Sequence, residues 1–543
     1  MKPQLMLVLG GLSLAACAPG TRPSTGPTPA GPPRPQATSI PTESPRDWQL
    51  LDWSADSVIG ISSERAMREL LAGVQPADTI LVAVIDGGID TAHVDLRPNL
   101  WVNPREVAGN GVDDDGNGYV DDMHGWNFAG GADGQNVNHD TFEVTRLYAR
   151  CRIANPDSVP ADLRPRCPQI SADYDQRRSV AERTLLNVKG ADQAMNRAVE
   201  VLTQALNGDS VTPARVEALQ PTSGDVRQAR QIYMQLASQG ITQKEIAEAL
   251  KAYDSQIRYG YNTDFDPRGI VGDDYHDVAQ RIYGNNDVMG PDASHGTHVA
   301  GIIGAVRGNG QGIDGIAPAV RLMMIRAVPD GDERDKDIAN AIRYAVDNGA
   351  RIINMSFGKP YSPQKPAVDA AVRHAQEKGV LLIHAAGNDG EDLSRNESFP
   401  TPVYQGGGRA DSWIEVGASS WKGLDSLAAS FSNYGRNEVD VFAPGVDILS
   451  TVPGGGYERN SGTSMASPVV SGLAALLMSY YPSLSAADVK RIIVTTATPF
   501  RDQVVARPGD DTPVRFGELS ASGGVVNALE AVRMAQQMAQ GRE

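Results

Sequence analysis

The chain has no excess of basic residues: 49 lysines and arginines stand against 66 aspartates and glutamates, a formal charge of -17 at pH 7. That balance excludes nucleic-acid or anionic-membrane binding through the protein surface, because the cations that would neutralise phosphates are missing. Proteins and small molecules remain as partners. Long hydrophobic runs are lacking too. The stretch from Leu5 to Ala16 is too short for a durable membrane anchor, and no other segment reaches the roughly 18 to 20 apolar residues a span needs. Cysteine is scarce, at three residues: Cys17, Cys151 and Cys167. No internal repeat is visible. What is present, 41% hydrophobic residues over 543 positions, describes a globular chain with room for one large domain plus insertions, or for two or three ordinary domains.

The N-terminus, MKPQLMLVLGGLSLAAC, carries Lys2, an apolar stretch and small residues before a cysteine. Leu14-Ala15-Ala16-Cys17 resembles the cleavage box of a bacterial lipoprotein signal, which implies removal of residues 1–16 and acyl chains on Cys17. Residues 17–47 are rich in proline, glycine, serine and threonine and are expected to form a flexible tether, since they can neither bury apolar area nor sustain a helix. The expected location is the cell envelope of a bacterium, lipid-anchored. Ala18 avoids the aspartate that often retains lipoproteins at the inner membrane, which points toward the outer one in a cell that has two. Export places Cys151 and Cys167 in an oxidising compartment, where a disulfide would stabilise the loop between them by about 3 kcal/mol; two reduced thiols too far apart to pair is the alternative.

From Ile80 the chain shows short, continuous, branched runs at 80–85, 321–327, 351–355, 380–385, 413–417 and 439–442, as expected of strands covered on both faces. Helix-length segments at 333–349 and 365–379 lie between them, each ending at a glycine. This alternation predicts an α/β fold, a doubly wound and mostly parallel sheet with helices on both faces, in which ligands collect beyond the carboxyl ends of the strands. Further helices are expected from Ser464 to Tyr480 and over 525–539. Residues 130–290 lack buried-strand runs and contain long polar helical stretches, at 176–205, 223–239 and 244–256, so they read as a mainly helical insertion within a domain spanning 48–540.

Three segments carry chemistry. VAVIDGGID ends a buried strand at Asp86; DASHGTHVAGIIGA places small residues after His295; NSGTSMASPVVSGLAALL starts an apolar helix at Ser464. Attack of a hydroxyl on an amide needs a serine at an accessible turn, an imidazole to take its proton and a carboxylate to fix the imidazole. A fourth group must meet the charge that develops on the carbonyl oxygen. Asn388, in LLIHAAGND after a strand run, can supply an amide N–H there, with the backbone N–H of Ser464 at a helix start.

VIDGGID, HGTHVAG and GTSMASP resemble, in this order, the three active-site signatures of the subtilisin-like serine proteases, and HAAGN is similar to that family's oxyanion-asparagine segment. The resemblance covers about residues 48–129 and 290–540. It implies a doubly wound catalytic domain, Asp86, His295, Ser464 and Asn388 as catalytic residues, hydrolysis through an acyl-enzyme with no cofactor required for the chemistry, and extended protein or peptide substrates bound beside NMSFG. Ser356, Phe357 and Gly358 would then lie along the pocket for the residue before the cut, with His384, Ala385 and Ala386 on another wall. Taken singly, Asp86 reads as a helix cap, His295 as a core histidine and Ser464 as an N-cap; four required groups in four matching segments decide for catalysis.

The chain departs from the family in four places. Gly87-Gly88 follows the aspartate, removing a possible hydroxyl neighbour. Gly358-Lys359 replaces a glycine pair, which would narrow or charge one rim of the pocket. Asp86 and His295 are 209 positions apart, a large insertion expected near the cleft rim. A separate pro-domain is not apparent, and the insertion is a candidate for control of activity.

His298 lacks the glutamate of an HExxH arrangement and reads as a packed helix residue. In VDDDGNGYVDD, Asp113, Asp115, Asn117, the Tyr119 carbonyl and Asp121 resemble the first nine positions of a calcium loop. His124 stands where the twelfth, a glutamate, would be, so an EF-hand is not supported; a structural Ca2+ turn and a solvated loop both fit. The leading functional expectation is a membrane-tethered serine endopeptidase. Its rival is a catalytically inactive protein of the same fold that uses the insertion for recognition. A lipase is disfavoured, since Ser464 lies in GTSMA and not GxSxG.

Overall fold

The computed structural model describes residues 43–153 and 159–541. The expected signal 1–16, the lipid site Cys17 and the tether up to residue 42 lie outside the described residues. The described residues divide into two compact units: 43–143 together with 264–541, and those within Val144–Thr263.

The first unit is built on β1 (Ile80–Asp86), β2 (Gly125–Asn127), β3 (Val320–Arg326), β4 (Ile352–Met355), β5 (Leu381–Ala385), β6 (Trp413–Ser419), β7 (Val441–Pro444), a hairpin β8 (Ile448–Val452) and β9 (Gly456–Asn460), β10 (Thr498–Pro499), a small hairpin β11 (Val504–Ala506) and β12 (Pro513–Arg515), and β13 (Gly524–Val525). Nine of these form one sheet in the order β10-β13-β7-β6-β5-β4-β1-β3-β2. Every pairing in it is parallel except that of β10 with β13. The alternation of side chains divides β1 between two cores. Val82 and Val84 join the apolar cluster on one face, and Ala83 and Ile85 join that on the other.

Among the helices, in chain order, are α1 (Ser63–Glu69), α2 (Cys167–Ala205), α3 (Gly224–Ser238), α4 (Gln243–Ser255), α5 (Ser294–Gly304), α6 (Asp335–Asp347), α7 (Lys365–Glu377), α8 (Thr463–Tyr480), α9 (Ala486–Thr495) and α10 (Ala528–Gln540). α5, α8, α9 and α10 supply the first core, α6 and α7 the second. The sheet is therefore doubly wound, and the α/β fold with a helical insertion is the one expected from the sequence. α8 is apolar on all sides because it is the central helix of a core, with 89% of its residues buried.

In the second unit, α2 runs for 39 residues and buries Ile170, Tyr174, Ala181, Leu185, Val188, Ala191, Met195, Ala198 and Leu202, a stripe at three-, four- and seven-residue spacing. It packs against α3 and α4, whose starts are capped by Ser223 and Thr242. α2 begins at Cys167, nine residues before the expected start; Pro168 in its first turn is tolerated because its missing N–H has no helical partner there. Cys167 is joined to Cys151 by a disulfide.

Residues 130–143 and 264–290, assigned above to the insertion, lie in the sheet-bearing unit. They contain no apolar runs because much of their anchoring is polar. The backbones of Asn127 and Asn285 exchange hydrogen bonds of 2.9 and 3.1 Å. The Arg268 guanidinium sits between Asp273 and Asp337, 2.6 Å from each, and Tyr283 donates to the same Asp337. Arg334 pairs with Asp140 at 2.7 Å. Buried ion pairs of this kind have no hydrophobic periodicity for a sequence reading to detect.

Candidate active site

β1 delivers Asp86 at its carboxyl end, and the side chain is only 4% exposed. α5 delivers His295 from its first turn. Small residues let the two elements meet: a Cβ at Gly296 would lie 2.4 Å from the Gly88 carbonyl oxygen and 3.0 Å from Asp86 Cβ. Gly88 itself has φ +145°, and a Cβ there would meet the Met289 carbonyl oxygen at 2.1 Å. Gly88 is thus required by close packing, whereas a Cβ at Gly87 would stand 3.0 Å from the Val328 carbonyl oxygen; the Gly87 N–H donates to Asp86 Oδ1 at 2.7 Å.

His295 Nδ1 lies 2.9 Å from both oxygens of Asp86. With the carboxylate taking the Nδ1 proton, Nε2 is left with a lone pair, the form a general base needs. Loss of water around the ring pulls its pKa down, and the Asp86 carboxylate, by charge and by hydrogen bond, together with the charge of Asp292 raises it by more, so the net shift is above the ordinary 6.5.

Ser464 is the second residue of α8, at the helix end whose free N–H groups and dipole favour negative charge. Its Oγ donates to the Ser356 carbonyl at 3.2 Å, not to His295. Ser356 in turn donates to the Ser464 carbonyl at 3.1 Å and lies 2.8 Å from Ser467 Oγ, so the first turn of α8 and the end of β4 are sewn together. Asn388, exposed just beyond β5, accepts on Oδ1 from the N–H of Thr463 at 2.8 Å and from its hydroxyl at 3.0 Å. Committing Oδ1 to Thr463 leaves the Nδ2 amide as the group that can donate to a developing oxyanion. Thr463 was not singled out from sequence; its position next to Ser464 was the available signal.

The pocket residues separate into two groups. Phe357 is half-buried and Gly358 exposed, while Ser356, Ala385 and Ala386 are buried. His384 is completely buried and does not form an exposed wall: its ring bridges Glu415 Oε1 and the Phe357 carbonyl, each at 2.8 Å. Lys359 does not charge the rim. Its ammonium is buried between Glu143 and Asp335, at 2.9 and 2.8 Å. His298 is buried as well, with Nε2 3.1 and 3.0 Å from the carbonyls of Ile448 and Glu458; burial pushes its pKa down to about 4, so it packs as a neutral ring against the β8–β9 hairpin.

The acidic loop closes differently from the expected calcium turn. Asp113 and Asp115 gather with Glu106, their ligand oxygens all within 4.8 Å of one another. Asp121 turns away, accepting the N–H groups of Gly109, Asn110 and Gly111. Asn117 accepts the Tyr119 N–H, and the Tyr119 ring packs among Trp126, Phe128 and Tyr344. Three oxygens at this spacing are the hard donors a divalent cation such as Ca2+ takes. Glu106 lies outside the motif, which is why a motif-based reading passed over it.

The model of the subtilase family, Peptidase_S8, matches residues 77–517. The chain is 41% identical over 241 residues to the thermophilic serine proteinase of Bacillus sp. (strain AK1), covering 44% of this chain and 54% of that protein. It is 41% identical over 209 residues to subtilisin DY of Bacillus licheniformis, covering 38% and 72% respectively. With subtilisin NAT of Bacillus subtilis subsp. natto it shares 39% identity over 207 residues, 38% of this chain and 51% of that one. The chain thus spans about half the length of two of these three relatives.

Proposed function

The chain belongs to the subtilase family, and from that premise we propose that it is a serine endopeptidase acting on extended protein or peptide segments. The observation that carries this reading is the His295–Asp86 pair, with Nδ1 committed to the carboxylate, on a helix (α5) that packs against α8, whose first turn carries Ser464. In the reaction Ser464 Oγ leaves the Ser356 carbonyl and attacks the scissile carbon while His295 Nε2 takes its proton. The oxyanion accepts from Asn388 Nδ2 and the Ser464 N–H. The C–N bond then breaks and the leaving amine takes the proton from His295. Water, deprotonated by the same nitrogen, attacks the acyl ester and regenerates Ser464. The test is hydrolysis of a peptide library by residues 47–543, with the Ser464→Ala chain as control. Cut sites that appear only with the serine present support the reading, and cuts equal in both preparations overturn it.

The N-terminal segment, outside the described residues, is proposed to be cleaved before Cys17 and lipidated there, tethering the enzyme to the envelope, with Ala18 favouring the outer membrane. Mass spectrometry of the native protein after delipidation tests this: an acylated Cys17 as first residue is expected, and an unmodified or absent Cys17 contradicts it. A structural Ca2+ is proposed at Glu106, Asp113 and Asp115, away from any catalytic step. Chelation is expected to lower the melting temperature of the native chain but not that of Asp113→Ala.

A further inference from the structure

We infer that His384 and Glu415 are positioning residues for substrate binding: a buried imidazole donating from both nitrogens holds the Phe357 carbonyl, and with it the Phe357–Gly358 backbone, in the conformation that receives the peptide. This rests on the endopeptidase reading above.

Both groups facing the ring accept hydrogen bonds. Nδ1 meets Glu415 Oε1 and Nε2 meets the Phe357 carbonyl, each at 2.8 Å, and no part of the His384 side chain is exposed. A carbonyl oxygen cannot donate, so Nε2 must carry a hydrogen. A further proton must then lie between Nδ1 and the carboxylate, on whichever atom. The pair is therefore net neutral but holds one proton more than a neutral histidine beside a free carboxylate. If that proton leaves, the carboxylate retains the remaining N–H on Nδ1, and the Nε2 lone pair is turned against the Phe357 oxygen. The anchor becomes a repulsion.

Glu415 is itself fixed. Its Oε2 accepts the Trp413 indole N–H at 2.8 Å, and its backbone N–H donates to Asp440 at 2.9 Å. The segment it braces through His384 has little slack. A Cβ at Gly358 would stand 2.6 Å from Ser398 Oγ, and Lys359 and Phe399 exchange backbone hydrogen bonds of 3.0 and 2.8 Å. One residue earlier, the Ser356 carbonyl accepts from the Ser464 hydroxyl. The brace thus acts on the backbone running from the nucleophile's partner into the substrate pocket.

The charged groups bearing on the ring are Glu415 and, from the segment before α6, Glu333. Burial pulls the His384 pKa down, and Glu415, the Phe357 carbonyl and Glu333 together raise it by more, for a net rise from 6.5. The two acceptors facing the ring require the extra proton, and its loss is expected on the alkaline side of the ordinary imidazole range.

The test is steady-state kinetics of the full chain, Glu415→Gln and His384→Gln on one peptide substrate, from about pH 6 to about pH 10, with Ser464→Ala as the blank. Glu415→Gln keeps the acceptor for Trp413 but removes the charge that holds the proton. It is expected to raise KM by about tenfold at neutral pH, with kcat changed far less, and to move the alkaline rise in KM to lower pH. His384→Gln retains a single amide donor for the Phe357 carbonyl and is expected to abolish that pH dependence of KM. Loss in kcat with KM unchanged, or a KM profile in Glu415→Gln superimposable on the native one, overturns the proposal. Should either variant fail to fold, nitrogen NMR of the imidazole in the Ser464→Ala chain decides: an Nε2-bound hydrogen at neutral pH supports the brace, and a ring protonated on Nδ1 alone overturns it. Absence of Ser464-dependent hydrolysis in the native chain would instead remove the endopeptidase reading, which the NMR measurement does not depend on.

Discussion

His295 meets Asp86 at 2.9 Å with 46% of its side chain exposed, whereas His384 meets Glu415 at 2.8 Å with none exposed. In both pairs the carboxylate faces Nδ1, and the difference lies at the other nitrogen. Nε2 of His295 belongs to a half-exposed side chain and can pick up and release a proton, while Nε2 of His384 is committed to a backbone carbonyl. An imidazole–carboxylate pair can serve as a base when one end is open and as a brace when both ends are closed. What distinguishes them is the tertiary partner of a single atom.

The largest effect that could break this comparison is on the open pair. His295→Ala is expected to lower kcat by roughly 10^4- to 10^6-fold and Asp86→Asn by about 10^4-fold, measured against a peptide substrate, because the base is lost in one and held in the wrong tautomer in the other. Loss of less than tenfold in either would mean that His295 is not the proton acceptor. Asn388→Ala comes next, with a decrease of about 10^2- to 10^3-fold in kcat, or roughly 3 to 4 kcal/mol of transition-state stabilisation, and little change in KM.

A smaller and sharper effect is in pH dependence. As the proposed base His295 must be the neutral ring, and its pKa is raised above 6.5, so kcat/KM should fall as pH is lowered through that raised value. Asp86→Asn removes the charge that raises it, and the residual activity should persist to lower pH. The smallest expected effect lies away from both histidines, in the helical unit. Cys151→Ser opens the bond to Cys167 and is expected to cost up to about 3 kcal/mol of that unit's stability, read as earlier loss of its helical signal on heating.

Much of the sheet was legible because its central strands are buried on both faces. Runs such as Ile80–Ile85 and Leu381–Ala385 have no polar side to disguise them. β2, three residues long and held to β3, was not legible, nor was the β8–β9 hairpin, whose outer strand is largely polar. In the site, Asp86, His295, Ser464 and Asn388 could be picked out because each sits in a segment with its own glycine and small-residue context. Glu415 lies 31 positions from His384, and nothing local marks the two as partners. Lys359 read as a rim charge for the same reason, its carboxylates at Glu143 and Asp335 being far off in the chain. The acidic loop was found by its spacing, but the spacing selected Asp121, which the fold uses to tie a turn, and missed Glu106.

The central claim, that His295 draws the Ser464 proton although Oγ rests on the Ser356 carbonyl in the free enzyme, is tested most directly by a fluorophosphonate probe with the adduct mapped by mass spectrometry. The account predicts a single adduct on the peptide containing Ser464, absent from Ser464→Ala and formed far more slowly in His295→Ala. Labelling that is unaffected by the histidine substitution, or that falls on another residue, would contradict it.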